Sequence, residues 1–151
     1  MIEGVTLKQL RRIVDDRGFI LEILRDDDAM FRGFGQAYIS GIFPGIVKAW
    51  HCHKLQHDSF CVVGGNAKVG LYDDREGSPT HGETMGIVIG ELNPMVIQIP
   101  PLVWHGMVAV GGEPALLLNL PNLHYNREDP DELRRPPFDP EIPFEWLTKG
   151  G

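Results

Sequence analysis

The sequence contains few cysteines, no excess of basic residues and no long apolar run. Its 151 residues include only two cysteines, Cys52 and Cys61. Two cysteines are too few for a disulfide framework, so we expect both to be free thiols. No run approaches the roughly 18 to 20 apolar residues of a membrane-spanning helix, and residues 1–18 lack the apolar segment of a signal peptide. These absences predict a cytoplasmic protein that does not associate with membranes.

The charge balance of the chain is acidic. The formal net charge is −7 at pH 7 and the pI is about 5.3, so the chain lacks the basic field that neutralises nucleic-acid phosphates. Nucleic acid is therefore not an expected partner. An anionic ligand such as a nucleotide sugar would have to be held by a few arginines and lysines that meet in one cleft.

Helical periodicity is also scarce, and the middle of the chain is rich in strand-forming residues. Short segments of Val, Ile, Tyr and Phe, broken by Gly, Pro, Asn or Asp, are typical of an antiparallel sandwich or barrel. Seven such segments occupy residues 35–43, 45–54, 59–73, 85–91, 95–101, 105–112 and 115–121. A helical period is visible only in residues 26–33 and 127–135. We predict one domain over residues 1–151, an all-β jelly roll with short helical segments near both ends.

Three of the six histidines lie within seven residues, at positions 51, 53 and 57. Alternate residues of a strand point to the same face, so His51 and His53 converge there, while Trp50 on the other face is expected in the core. His105 follows Pro100 and Pro101 on what should be another strand of the sandwich. Histidines grouped in this way serve either metal binding or proton transfer, and the residues alone leave both open.

The spacing of these residues resembles the first motif of the cupin superfamily. That motif is a glycine, five residues, His-x-His, three or four residues, an acid, six residues and a glycine. Here Gly45, His51, His53 and Gly64 match, and the acid position holds His57 at the shorter spacing or Asp58 at the longer one. The resemblance implies a double-stranded β-helix. In metal cupins it also implies one divalent ion, here held by His51, His53, His57 or Asp58, and His105.

Further segments resemble the dTDP-4-dehydrorhamnose 3,5-epimerase family, a metal-free cupin branch that acts on nucleotide-linked 4-keto sugars. These segments cover residues 15–22, 35–40, 71–82, 99–106 and 139–146, in the family's order and over nearly the whole chain. His-x-His-Lys and "IPPLVWH" are also similar to the dTDP-4-keto-6-deoxyhexose 3,4-ketoisomerases. The resemblance implies a nucleotide-sugar epimerase or isomerase without a cofactor, with the branch left open.

The chemistry of that family needs few groups. A 4-keto group acidifies the neighbouring C–H bonds, so a base of near-neutral pKa can remove a proton and leave an enolate. Histidine, with an ordinary pKa of about 6.5, suits this role. The resemblance makes His51 the base and His53 its assistant. It assigns substrate contacts to Arg17, Glu22, Gln36 and Lys48, with Arg17 reaching the nucleotide across a homodimer interface.

The chain departs from the family at three positions. Asp58 stands where the epimerases carry a lysine, and Asn119, also placed at the substrate, stands where they carry a tyrosine that reprotonates the opposite face. No C-terminal aspartate matches the one that orients the family's histidine, and Asp73 or Asp139 would substitute. Lys54 or His105 would then stabilise the enolate. These departures favour a one-centre epimerase or a ketoisomerase, with a metal-dependent cupin enzyme and a non-catalytic sugar-binding cupin as the alternatives.

Overall fold

The computed structural model describes residues 1–147, and this part of the chain contains twelve β-strands and no helix. The all-β fold is therefore confirmed. The strands are β1 (Thr6–Gln9), β2 (Arg12–Asp15), β3 (Gly18–Leu21), β4 (Tyr38–Ile42), β5 (Val47–His53), β6 (Asp58–Gly64), β7 (Asn66–Asp73), β8 (Thr84–Gly90), β9 (Met95–Ile99), β10 (Val103–Ala109), β11 (Ala115–Asn119) and β12 (Glu132–Arg134).

Ten of the strands form two five-stranded antiparallel sheets. The first sheet has the order β1-β9-β6-β11-β4, the second has the order β12-β5-β10-β7-β8, and β2 and β3 form a separate hairpin. Most neighbours in each sheet are distant in sequence, because from β4 onwards the chain crosses to the other sheet at every connection except the one between β7 and β8. This is the jelly-roll arrangement that the cupin resemblance implies.

The main core lies between the two sheets and is aliphatic. Alternate residues of β7, namely Ala67, Val69 and Leu71, are fully buried there against Ile97 and Ile99 of β9. A second cluster lies on the outer face of the second sheet and contains Trp50, Trp104 and Trp146. Burial of apolar groups on both faces explains why the strands of this sheet read as nearly continuous hydrophobic segments.

The C-terminal segment covers that outer face, as its aromatic residues predict. Trp146 is only 3% exposed, and its ring centroid lies 4.6 Å from that of Trp50. The segment needs a glycine beneath it, because a Cβ at Gly70 would lie 2.6 Å from Trp146 and 2.7 Å from Phe144. The segment up to Trp146 therefore packs directly on the sheet that carries the clustered histidines.

The two predicted helical segments are not helices. Residues 26–33 form turns and irregular chain, in which the Asp28 carboxylate accepts hydrogen bonds from Lys8 Nζ at 2.5 Å and from the Arg25 amide at 2.8 Å. In the other segment, β12 pairs with β5, with Glu132 opposite His53 and Arg134 opposite His51. Contacts with distant strands decide both structures, and they outweigh the weak local preference for helix.

The β2–β3 hairpin stands apart from the two sheets and exposes four apolar side chains: Ile13, Val14, Phe19 and Ile20. No helix in the described range has the length and apolar character needed to cross a bilayer. Both cysteines are buried free thiols, as predicted.

Candidate active site

Four side chains from three strands converge between the two sheets. His51 and His53 lie on β5, His105 lies directly opposite His51 on β10, and Asp58 begins β6 in the other sheet. One nitrogen or oxygen from each residue lies within 4.8 Å of those of the other three. The alternation of β5 therefore places both histidines on one inward face, and Trp50 on the opposite face.

The Asp58 carboxylate is at the centre of this group and is 1% exposed. Its Oδ1 accepts hydrogen bonds from Gln56 Nε2 at 2.9 Å and from Asn119 Nδ2 at 2.7 Å. Its Oδ2 lies 3.3 Å from His53 Nε2 and 3.1 Å from His105 Nε2. One carboxylate oxygen is thus fixed by amides while the other faces two imidazoles.

The hydrogen bond of His105 to the backbone identifies its tautomer. His105 Nδ1 lies 2.9 Å from the Val103 carbonyl oxygen, so this nitrogen carries a proton and donates it. The other nitrogen, Nε2, faces Asp58 Oδ2, but within residues 1–147 neither atom makes a hydrogen bond of acceptable geometry. Both atoms point towards a common position, which a proton or a cation would occupy favourably.

The electrostatics divide the histidines into different protonation states. Burial, together with the neighbouring His105, holds the pKa of His51 well below its usual range, so His51 is neutral at pH 7. Burial also opposes protonation of His53, but the Asp58 carboxylate outweighs burial and raises the pKa of His53. Burial raises the pKa of a carboxyl, yet the imidazoles of His105 and His53 hold the pKa of Asp58 below its ordinary value. The group therefore contains a neutral base, His51, beside a carboxylate that favours protonation of His53.

Two cavities meet at His51 and Tyr38. One has a volume of about 470 Å³ and a basic wall formed by Lys48, Arg134 and Arg135. The other has a volume of about 310 Å³ and is lined by the following polar and aromatic side chains: Gln36, His53, Gln56, Tyr125 and Glu132. A larger cavity of about 560 Å³ lies beside the β2–β3 hairpin and contains none of the clustered histidines. The two cavities that share His51 form the candidate active site.

Several residues predicted to contact substrate lie at this site. Lys48 is in the basic wall, where its Nζ donates to Ser40 Oγ at 3.1 Å. Gln36 lines the smaller cavity, and its Oε1 accepts from the Tyr125 amide at 3.2 Å. His105 and Asn119 are buried around Asp58. The structure brings these four residues together with His51 and His53.

Other predicted residues lie elsewhere. Arg17 is at the tip of the β2–β3 hairpin, with Nη2 2.5 Å from Asp15, and Glu22 lies beside the hairpin, 3.5 Å from Arg25. The Lys54 side chain is exposed and lines neither of the two cavities. Within one protomer, these residues do not share the pocket of His51.

The sequence offered Asp73 or Asp139 in place of the family's C-terminal aspartate, and neither residue contacts the clustered histidines. The Asp139 carboxylate accepts from the Glu141 amide at 3.0 Å and lies 3.9 Å from Arg135, away from every histidine of the group. Asp73 binds Arg75 instead. Asp58 is the carboxylate that touches the histidines, because it begins β6 facing β5 and β10 across the sandwich.

The alternative set of metal ligands predicted from the sequence included His57, and the structure places this residue outside the group of four converging side chains. His57 precedes β6, and its backbone amide donates to Asn122 Oδ1 at 2.8 Å. Asp58, one residue later, enters the strand and takes the fourth position beside His51, His53 and His105. Of the two spacings that the cupin motif allows, the fold uses the longer one, which places Asp58 at the acid position.

Sequence reasoning did not assign a role to Tyr38, Gln56, Glu132 or Arg134, all of which line the site. Tyr38 lies within residues 35–40, one of the segments that resemble the epimerase family, so the sequence did offer a reason to consider this residue. Glu132 and Arg134 reach the site only because β12 pairs with β5, and no local pattern showed that pairing.

Comparison with known proteins identifies the family. A family model described as "Polysaccharide biosynthesis C-terminal domain" matches residues 13–133. The spore coat polysaccharide biosynthesis protein SpsL of Bacillus subtilis is 44% identical over 149 residues, which cover 99% of each chain. The chain belongs to this family of polysaccharide biosynthesis proteins.

Two further proteins that are similar to this chain are named for an activity. The probable low-salt glycan biosynthesis epimerase Agl13 of Haloferax volcanii is 46% identical over 96% of this chain and 94% of its own. The crystal structure of a dTDP sugar isomerase from Desulfovibrio desulfuricans G20 has 39% identity and a TM-score of 0.90, and covers 96% of this chain and 92% of its own. Solved dTDP-4-dehydrorhamnose 3,5-epimerases share the fold. The resemblance found in the sequence is confirmed.

Proposed function

We propose that this protein epimerises or isomerises a nucleotide-linked 4-keto-6-deoxyhexose, with His51 as the base. The observation that carries the proposal is a neutral histidine at the junction of two cavities, one of which has a basic wall. The descriptions of Agl13 as an epimerase and of the Desulfovibrio protein as a dTDP sugar isomerase support the same class of reaction.

We assign the sugar and the diphosphate to different walls of the site, and the charges of the lining residues support this. The site cavity of about 470 Å³ is lined by Lys48, Arg134 and Arg135. These residues supply the local positive charge that a chain of net charge −7 needs to hold a diphosphate. The sugar then lies over His51, near His53 and Asp58. An anion bound at one end of the site brings its keto group to the neutral imidazole.

The reaction proceeds by proton transfer in both directions. His51 takes a proton from the carbon beside the ketone, and the electrons of the C–H bond move to the carbonyl oxygen to form an enolate. An imidazole N–H of His53 donates a hydrogen bond to that oxygen and stabilises the enolate. Return of a proton to the opposite face inverts the carbon. Return to the former carbonyl carbon shifts the ketone, provided that the proton of the neighbouring hydroxyl passes to the enolate oxygen as the new C=O bond forms.

The test is proton exchange in deuterated water. The purified protein, with and without chelator treatment, is incubated with several nucleotide-linked 4-keto-6-deoxysugars, and the C3 and C5 protons are followed by NMR. We expect chelator-insensitive exchange that is lost in His51→Asn and kept in His81→Asn, whose histidine is exposed on the loop before β8. Exchange that survives in His51→Asn contradicts the role of His51. Tight binding without exchange supports a sugar-binding protein instead.

A second candidate is a metal-dependent enzyme, because three imidazoles and one carboxylate converge within 4.8 Å. The residues fit such an ion: His105 donates Nδ1–H to a carbonyl, Asp58 Oδ1 is held by amides, and Oδ2 and Nε2 face one point. A bound divalent ion would act as a Lewis acid on the keto oxygen. Zinc, manganese, iron or nickel retained at one equivalent by the wild type and lost in Asp58→Asn, measured by elemental analysis, would favour this candidate.

We further propose a cytoplasmic homodimer in which the β2–β3 hairpin packs on the partner and carries Arg17 towards the partner's site. The apolar side chains exposed on the hairpin and the position of Arg17 at its tip support this arrangement. Light scattering on the purified protein should give twice the mass of 16.9 kDa. A monomer that remains fully active on dilution contradicts the proposal.

A further inference from the structure

Tyr38 faces the candidate site from the opposite sheet to His51. It is the first residue of β4, at the edge of the first sheet, whereas His51 lies on β5 of the second sheet. Both side chains line both of the cavities that form the site. The imidazole and the phenol therefore border the junction from opposite sheets.

The pairing of β4 with β11 places the Tyr38 hydroxyl beside Asn119. Tyr38 and Asn119 are direct partners in the antiparallel register, and such partners point to the same face. Asn119 Oδ1 accepts a hydrogen bond from the Ser59 amide at 3.1 Å, which fixes which end of the side chain is the NH₂ group. That NH₂ group donates to Tyr38 OH at 2.9 Å and to Asp58 Oδ1 at 2.7 Å.

Counting hydrogens shows that the Tyr38 proton is free. Both hydrogens of Asn119 Nδ2 are donated, one to Asp58 and one to the phenol oxygen, so Tyr38 acts as the acceptor in its contact with Asn119. No side chain or carbonyl in residues 1–147 accepts the Tyr38 O–H in return. The residue Tyr38 is 42% exposed and lines both cavities, so its hydroxyl proton is available to a ligand in the pocket.

We infer that the Tyr38 hydroxyl is the proton donor that faces His51 across the bound sugar, and that Asn119 positions it. This inference rests on the function proposed above. It accounts for a departure noted in the sequence, because Asn119 stands where the epimerase family carries its tyrosine. Here the asparagine holds a phenol from the neighbouring strand, so the site keeps an acid on that side.

The proton balance of the step is complete. His51 gains the proton of the C–H bond, and the enolate carbon then takes the Tyr38 proton as the O–H bond breaks, which leaves a phenolate. The Asn119 N–H already directed at that oxygen stabilises the phenolate. Proton exchange with water restores neutral His51 and protonated Tyr38. Burial, with the Asp58 charge, raises the pKa of Tyr38, so the phenol is protonated and able to donate at neutral pH.

The experiment compares exchange with product formation in Tyr38→Phe. The substrate panel is nucleotide-linked 4-keto-6-deoxysugars in deuterated water, with deuterium uptake and inverted or shifted product measured separately by NMR. Loss of a general acid costs about 10²- to 10⁴-fold, so product formation should fall at least a hundredfold while exchange at the His51 face stays within about threefold. In Asn119→Ala we expect the same direction with a smaller loss, about tenfold.

The matched control is Tyr72→Phe. Tyr72 is on β7, where its hydroxyl contacts Asp74 at 3.3 Å, and it lines neither of the two cavities. This variant should keep both rates. Thermal unfolding of each variant shows whether the fold is retained.

The outcomes separate this inference from the proposed function. Product formation in Tyr38→Phe at a rate close to wild type would overturn the inference alone. Equal loss of exchange and product in a folded Tyr38→Phe would also overturn it, because the hydroxyl would then serve binding rather than reprotonation. Absence of exchange on every sugar in the wild type would overturn the proposed function, and the inference with it.

Discussion

The variant Asp58→Asn tests the role of the carboxylate in the active site. The variant Asp73→Asn is its matched control, because Asp73 is a buried carboxylate with a purely structural role. Both residues are almost fully buried, at 1% and 0% exposure. Asp58 touches Gln56, Asn119, His53 and His105, whereas Asp73 binds only its own loop. The two substitutions therefore remove the same charge from the same fold in different surroundings.

Both variants should lose comparable stability. In Asp58→Asn the oxygen that faces His53 and His105 becomes an amide nitrogen, so both imidazoles lose the carboxylate that they contact. In Asp73→Asn the same change leaves donors from Arg75, Ser78 and Thr80 without an acceptor. Breaking one side of a buried charged pair costs about 3 to 5 kcal/mol. At about 2 to 4 °C per kcal/mol for a chain of this size, Tm should fall by about 6 to 20 °C.

Only Asp58→Asn should lose activity. Asp58 orients two of the imidazoles around the proposed base, and a misplacement of about 1 Å can cost a hundredfold in rate. Asp73 touches none of the four converging side chains, so its variant should keep kcat at temperatures well below its Tm. The assays are differential scanning calorimetry and product formation by NMR at 20 °C or below. An Asp58→Asn variant with wild-type Tm and rate would refute the contacts of Asp58 with the imidazoles, and an inactive, folded Asp73→Asn would refute the division of roles.

Three further predictions concern stability. Hydrogen bonds from Arg75 lower the pKa of Asp73 in the folded state. The ionised carboxylate therefore stabilises the fold above about pH 4, and this stabilisation is lost as pH falls through the lowered folded-state pKa. On acidification, Tm should fall more in the wild type than in Asp73→Asn. Gly70→Ala should cost about 1 to 3 kcal/mol and shift the emission of Trp146, because the new Cβ meets that ring, as fluorescence during urea unfolding will show. Asp131→Ala should cost about 1 to 3 kcal/mol in the same assay, since its carboxylate accepts from three successive amides before β6.

The fold and the paired histidines were predictable because strand alternation is a local property. The seven predicted segments correspond to β4 through β11, with one segment covering both β6 and β7. The same alternation placed His51 and His53 on one face and Trp50 on the other. The short strands β1, β2, β3 and β12 were missed, since three or four residues carry too little pattern to identify a strand.

The fourth member of the group was harder to predict, because it depends on a turn that distant residues hold. Either His57 or Asp58 fitted the cupin spacing. The structure selects Asp58 because the turn before β6 is fixed by Asp131 and Asn122, which lie more than 60 residues away in sequence. The contact of Tyr38 with Asn119 became visible only through the register of β4 with β11. Long-range contacts of this kind leave no periodic signal in the sequence.

The C-terminal segment has a consequence for protein engineering. It forms a wall of the pocket through Arg134 and Arg135, passes over the sheet, and ends with Trp146 packed against Trp50, the residue directly before the proposed base. Trimming the chain before Trp146 would therefore loosen the strand beneath the pocket from behind. Libraries that seek new sugar specificity can vary Phe144 and Trp146 in this outer packing, because neither residue lines either of the two cavities.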